Sequence, residues 1–143
     1  MYKIYVAGAI TGDSHTKTFN NIGLGIKISA ELLKEGFAPF CPFLDYQYLF
    51  HEDIDIEQFY NYSMEFLKIC DVVLVIGKPS DYNHSVGTKN EIETAQKFDI
   101  PVLYQYCLKD NCLKAFEEVI KLHKRLNLVI EDKPNQDFTA TIQ

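Results

Sequence analysis

Positive charge is the first thing this chain is short of. Its 143 residues hold 14 Lys and Arg against 20 Asp and Glu, a formal net charge of −6 and a pI near 5.1. Proteins that grip duplex nucleic acid through its phosphates need a basic surface to displace counterions, so a nucleic-acid polymer is not an expected partner. A small anionic ligand stays open, because a few oriented backbone amides can hold one phosphate on an acidic protein. There is no run of about 18 apolar residues and no basic, then apolar, leader, so neither a membrane span nor export is expected. The four cysteines, Cys41, Cys70, Cys107 and Cys112, form no Cys-x-x-Cys pair. Three of them sit in or beside apolar runs, where a thiol packs as a small hydrophobe, and a reducing cytoplasm is the expected setting.

Recognised cofactor signatures are missing too. The stretch from Gly8 to Gly12 is neither Gly-x-Gly-x-x-Gly nor a P-loop, since no Lys-Ser/Thr follows Gly12, so no dinucleotide or triphosphate is expected. "HEDID" (His51, Glu52, Asp53, Asp55) lacks any ligand spacing and reads as a solvated acidic loop; no metal and no cofactor is expected. Cys107 and Cys112 in "CLKDNC" lie too far apart for a redox motif.

What is present suffices for one globular domain: 47% hydrophobic residues in a chain of this length can bury a continuous core without staples. "YKIYVAGAITGD" opens with a strand over residues 2–7 and runs into a loop carrying Gly8 and Gly12. Over residues 17–35, Phe19, Ile22, Ile26, Ala30 and Leu33 recur at helical spacing, with Gly36 as the stop. "FAPFCPF" reads as a strand shortened by Pro39 and Pro42. Residues 43–55, aromatic and acidic without a period, read as a loop over a pocket, and 56–69 as a helix.

"DVVLVIG", residues 71–77, is an unbroken apolar run of the kind found in a parallel strand covered on both faces. A loop over 78–85, a helix to about residue 98 and the strand "IPVLYQY" follow. A helix over 113–126 and an edge strand "NLVIE" complete the expected domain, 1–131, and leave a polar tail, 132–143. Strands alternating with helices at this spacing predict a three-layer, doubly wound parallel α/β sheet, flavodoxin/Rossmann-like and five-stranded. In such sheets ligands sit beyond the carboxyl ends of the strands where strand order reverses, which singles out the loops 8–13 and 77–87.

The stretch "NHSVGTKNEIETAQKF" (83–98) carries the chemistry. With Ser85 as helix cap, its side chain and the free amides of Val86, Gly87 and Thr88 form an anion cradle at the positive end of the helix dipole. Gly87, lacking Cβ, lets a ligand approach the backbone. At about 100° per residue the stripe Thr88, Ile92, Ala95 and Phe98 centres near Ala95, about 40° from Glu91 and about 160° from Glu93. Glu91 therefore borders the buried face, one turn or about 5–6 Å from the cradle. That offset is roughly the separation of a nucleotide's 5′-phosphate from its anomeric carbon, where a carboxylate can act as a nucleophile. An ordinary capped turn followed by a half-buried glutamate in a local ion pair is the plainer alternative.

"YVAGAITG", "CDVVLVIG", Ser85-x-Gly87-Thr88-x-x-Glu91-x-x-x-Ala95 and "DIPVLY" together resemble the nucleoside 2-deoxyribosyltransferase superfamily. Within it the chain is most similar to small bacterial and phage members and to the 2′-deoxynucleoside 5′-phosphate N-hydrolases, over about residues 2–104. The resemblance implies a five-stranded parallel sheet between helices and cleavage or exchange of the N-glycosidic bond of deoxynucleosides or their monophosphates. It implies Glu91 as nucleophile, with the Tyr5 hydroxyl beside it. It puts Ser85, Gly87 and Thr88 at the 5′-phosphate, and Gly8, Ala9, Ile10, Thr11 and Gly12 along sugar and phosphate. It implies a homodimer or larger homo-oligomer with a small-molecule nucleoside or nucleotide as partner, the aromatic segment 43–66 serving the contact between copies.

The chain departs from those hydrolases at two positions: Ser63 stands where they have an aspartate, and Thr11 where they carry an arginine. Candidates to protonate or contact the leaving base are then Asp45, Asp13, Asp81, His84 and Ser63 itself. Two other readings compete. One is a nucleotide-binding sensor or sequestering protein without turnover. The other is a phosphoribohydrolase of the lysine-decarboxylase-like type, echoed by "GTKNE" but lacking the Pro-Gly-Gly that precedes it there.

Overall fold

The computed structural model describes residues 1–105. The expected helix over 113–126, the edge strand "NLVIE", the tail and two of the cysteines lie outside the described residues. Four strands are described, β1 (Lys3–Ala7), β2 (Ala38–Phe40), β3 (Val72–Val75) and β4 (Val102–Tyr104), against the five expected. All pair in parallel, in the order β2-β1-β3-β4. Between them run α1 (His15–Lys34), α2 (Pro42–Asp45), α3 (Ile56–Leu67), α4 (Pro79–Tyr82) and α5 (Val86–Lys97). The fold is a doubly wound α/β sheet, as its alternation predicts.

Hydrophobic burial explains the centre. β1 and β3 are flanked by strands on both sides, and Val72, Val73, Leu74 and Val75 are all buried. Asp71 holds β3 in register by accepting from the Lys3 amide at 2.7 Å. β2 lies at the edge, which is why it tolerates Pro39, a residue with no N–H to give a ladder. Pro42, expected to truncate the strand, instead opens α2 at a first-turn position where its missing N–H costs nothing. The expected loop over 43–55 is therefore partly helical, with a 3-10 turn over Tyr46–Phe50 after α2. α4 similarly interrupts the expected loop over 78–85.

α1 turns a different face inward from the one its apolar spacing predicts. Phe19, Ile26 and Leu33 are 66%, 40% and 62% exposed, whereas Gly25, Ser29 and Leu32 are buried. The cause is close packing. The Phe43 ring lies on α1 where a Cβ at Gly25 would overlap it, and Ser29 satisfies its buried hydroxyl by donating to the Gly25 carbonyl at 2.8 Å. Small residues thus fit the core side better than the large ones. The helix also starts two residues earlier than expected, because the Ser14 side chain accepts from the Lys17 amide and caps it.

The chain leaves β1 toward β2 on one side and reaches β3 on the other, so strand order reverses at β1. The loops after β1 and β3 lie next to each other at the carboxyl ends of these strands, and a crevice opens there.

Candidate active site

A cavity of about 540 Å³ occupies that crevice. Its floor comes from the loop after β1, through Ala9, Thr11, Gly12 and Asp13. Hydrogen bonds hold this loop to α1: Gly12 donates its amide to Thr18 Oγ1 at 2.9 Å, and Asn21 Nδ2 donates to the Ile10 carbonyl at 3.2 Å. The far wall is α4 and the start of α5, through Asp81, His84, Ser85 and Gly87. Gly8 and Ile10 face the protein instead. A Cβ at Gly8 would lie 2.9 Å from Ile76 Cγ1, so packing alone demands glycine there, and Ile10 rests against the core.

Ser85 caps α5, its Oγ accepting from the Thr88 amide at 3.2 Å and from Thr88 Oγ1 at 2.9 Å. Thr88 is thereby turned inward and is 1% exposed, away from the cavity. The amides of Val86 and Gly87 have no acceptor within the helix. Nothing among the described residues requires glycine at 87: a Cβ there would make ordinary contact with the Tyr60 ring, at 3.4 Å or more.

One turn along, Glu91 lies within the buried face of α5 rather than at its border, beside Thr88 and Ala95, while Phe98 at the end of the expected stripe is half exposed. Tyr5, on β1, donates its hydroxyl to Glu91 Oε1 at 2.8 Å. Glu91 Oε2 is buried and has no hydrogen-bond partner of good geometry among the described residues. Burial pushes the Glu91 carboxyl up to about 8, against the opposing pull of the Tyr5 hydroxyl and the Gly8 amide. Burial first, and the Glu91 charge second, hold the Tyr5 phenol well above its ordinary range.

Tyr5 and Glu91 do not themselves line the cavity. Tyr60 of α3 links the two places: its ring lines the cavity and faces Gly87, and burial together with the Glu91 charge raises its phenol. Tyr60 stood in the aromatic segment flagged from sequence. Lys17, Asn21 and Ser80 also line the cavity and were not anticipated. A Ser-x-x-Lys cap signal at Ser14 was the clue to Lys17, since it draws the helix start back and puts the lysine in the first turn, beside the glycine loop.

The candidate acids fall into separate places. Asp13, Asp81 and His84 line the cavity, with Asp81 in an ion pair to Lys17 at 3.0 Å. Asp45 is not part of the lining and accepts from the Tyr62 hydroxyl at 2.6 Å; burial and that bond hold the Tyr62 phenol far up. Ser63 is buried, donating to the Phe59 carbonyl within α3, with its hydroxyl beside the Tyr5 phenol. In the acidic "HEDID" segment, Asp55 caps α3 in a capping box with Gln58. Among the described residues no three His, Cys, Asp or Glu side chains cluster as metal ligands, and no helix is long and apolar enough to cross a membrane.

No curated protein matches the chain. Among solved structures, a 2-deoxyribosyltransferase from the psychrotolerant bacterium Bacillus psychrosaccharolyticus is similar. It shares 20% identity over 71% of this chain and 70% of that one, with a TM-score of 0.52, and that likeness is one of fold. The family DUF4406, a domain of unknown function, matches residues 2–104. With that match and this topology, the chain belongs to the DUF4406 family and has a nucleoside 2-deoxyribosyltransferase-like fold.

Proposed function

We propose that the protein cleaves, or transfers, the N-glycosidic bond of a 2′-deoxynucleoside or its 5′-monophosphate, with Glu91 as nucleophile. One observation carries this reading: a buried carboxylate, held through one oxygen by Tyr5 and with no partner of good geometry for the other among the described residues, stands one turn along the helix that borders the cavity. Ionised Glu91 attacks the anomeric carbon. The carbon–nitrogen bond breaks, and the base leaves with its electron pair and takes a proton from a cavity acid or water. Water then opens the glycosyl ester and regenerates the carboxylate.

In this reading the 5′-phosphate rests on the Val86 and Gly87 amides, the Ala9–Gly12 loop follows the sugar, and the sugar reaches Glu91 past the Tyr60 ring. Hydrolysis is favoured over transfer because an anion site at the cavity suits a monophosphate. In this reading the protein acts as a homodimer or larger homo-oligomer. The exposed side chains of Tyr48, Phe50 and Ile56 support a contact between copies.

The test is to incubate the protein with each 2′-deoxynucleoside 5′-monophosphate and follow release of free base by chromatography. Release that is lost in Glu91→Gln supports the reading; added free base that appears in a new nucleoside marks transfer. A second reading, nucleotide binding without turnover, is favoured by Ser63, which leaves no acid beside Tyr5 and Glu91 from α3. Tight binding with no released base would establish it.

A further inference from the structure

The cavity contains an ion pair whose lysine is built into the glycine loop. Lys17 Nζ lies 3.0 Å from Asp81 Oδ1, and both side chains line the cavity. The lysine stem passes directly over Gly12: a Cβ at that position would overlap Lys17 Cγ and lie 2.6 Å from Lys17 Cβ. Glycine is therefore needed at 12 to give the stem room. Its backbone end is fixed as well, by the Lys17 amide donating to Ser14 Oγ at 3.1 Å and by Thr18 Oγ1 donating to the Ser14 carbonyl at 3.1 Å. Among the described residues that line the cavity, Lys17 is the one Lys or Arg, and Asp13 and Asp81 are the carboxylates.

An uncharged nucleoside brings no charge to compete for the pair. A phosphate dianion does. Seated at the start of α5, it shares the cavity with Asp81 and competes with that carboxylate for the ammonium.

We propose that Lys17 is the residue that selects a 5′-phosphorylated ligand over the bare nucleoside, and that Asp81 is its resting counter-ion, displaced when phosphate binds. The proposal rests on the reading of the cavity as a deoxynucleotide site but does not require turnover. The ammonium moves from a carboxylate oxygen to a phosphate oxygen, and no covalent bond changes. Asp81 then acts as a threshold: it opposes the dianion by repulsion and by occupying the lysine, and weak anions fail to displace it.

Titration calorimetry tests this with wild type, Lys17→Met, Lys17→Arg, Asp81→Asn and the Lys17→Met/Asp81→Asn double variant. Ligands are the four common 2′-deoxynucleoside 5′-monophosphates, their nucleosides and inorganic phosphate. Lys17→Met is expected to weaken the preferred monophosphate by about tenfold or more and its nucleoside by less than about twofold, with Lys17→Arg retaining most of the binding. Asp81→Asn is expected to tighten the monophosphate severalfold.

Equal weakening of monophosphate and nucleoside by Lys17→Met overturns the proposal, as does loss of monophosphate affinity in Asp81→Asn. Binding of inorganic phosphate as tight as the nucleotide overturns the selection of a nucleotide, and so does absence of binding by every ligand. If no base is released by wild type while these shifts are seen, the glycosidic reading fails and this one stands.

Discussion

Tyr5 and Glu91, 86 residues apart in sequence, meet through a 2.8 Å hydrogen bond in a site where the glutamate is 8% exposed and the tyrosine fully buried. β1 supplies the phenol and α5 the carboxylate, and they touch because β1 pairs directly with β3, whose following loop launches α5. A buried carboxylate is costly, and the Tyr5 hydroxyl and the Gly8 amide offset only part of that cost. The carboxyl is therefore held up near 8, a condition that disfavours stability and suits reactivity.

Removing the phenol oxygen should push the carboxyl further up, since the Tyr5 bond is the largest influence drawing it down. Tyr5→Phe is expected to shift the alkaline-going rise of kcat/KM to higher pH and to lower the rate at neutral pH by about 10- to 100-fold. A pH–rate profile of base release checks it; an unmoved profile would separate Tyr5 from the site.

Stability should follow the same group. Glu91 has a folded pKa of about 8, raised above its ordinary 4.5. The protein therefore binds one more proton folded than unfolded between those values, and its stability falls as pH rises through that window, by about 1.4 kcal/mol per unit. Below pH 4.5 the carboxyl is protonated in both states and the penalty vanishes. Glu91→Gln, which keeps an acceptor for Tyr5, should raise Tm relative to wild type at pH 8 and converge with it near pH 4.5. Thermal melts across that range decide the matter.

Two glycines should respond oppositely to alanine. At Gly25 a Cβ strikes the Phe43 ring, so Gly25→Ala should lower stability by about 1–3 kcal/mol. At Gly87 a Cβ makes only ordinary contact with Tyr60, and in a helix alanine is favoured over glycine by about 1 kcal/mol. Gly87→Ala should keep or raise Tm while weakening the monophosphate. Denaturation and titration of both variants measure the contrast.

The parallel sheet was legible because residues 72–76 of "DVVLVIG" are apolar without a break, a pattern that suits a strand covered on both faces. The α5 start was legible because Ser85 precedes residues with no other use for a cap. The inward face of α1 was not, because its burial is decided by Phe43, eighteen residues past Gly25, and by a hydroxyl that finds its partner inside the helix. Lys17 escaped as a cavity residue for a related reason. It reaches the site through the placement of another element, the helix start that the Ser14 cap draws back. The Tyr5–Glu91 pair was anticipated through family resemblance; spacing alone assigns Glu91 to the edge of the buried face.

The central claim is that Glu91 attacks a deoxyribosyl carbon, and single-turnover incubation of wild type and Glu91→Gln with 2′-deoxynucleoside 5′-monophosphates tests it most directly. The account predicts free base and a glycosylated Glu91 peptide from wild type, trapped by acid quench and read by mass spectrometry, and neither from Glu91→Gln. Base release that persists undiminished in Glu91→Gln, or no release from wild type with any of the monophosphates, would contradict it.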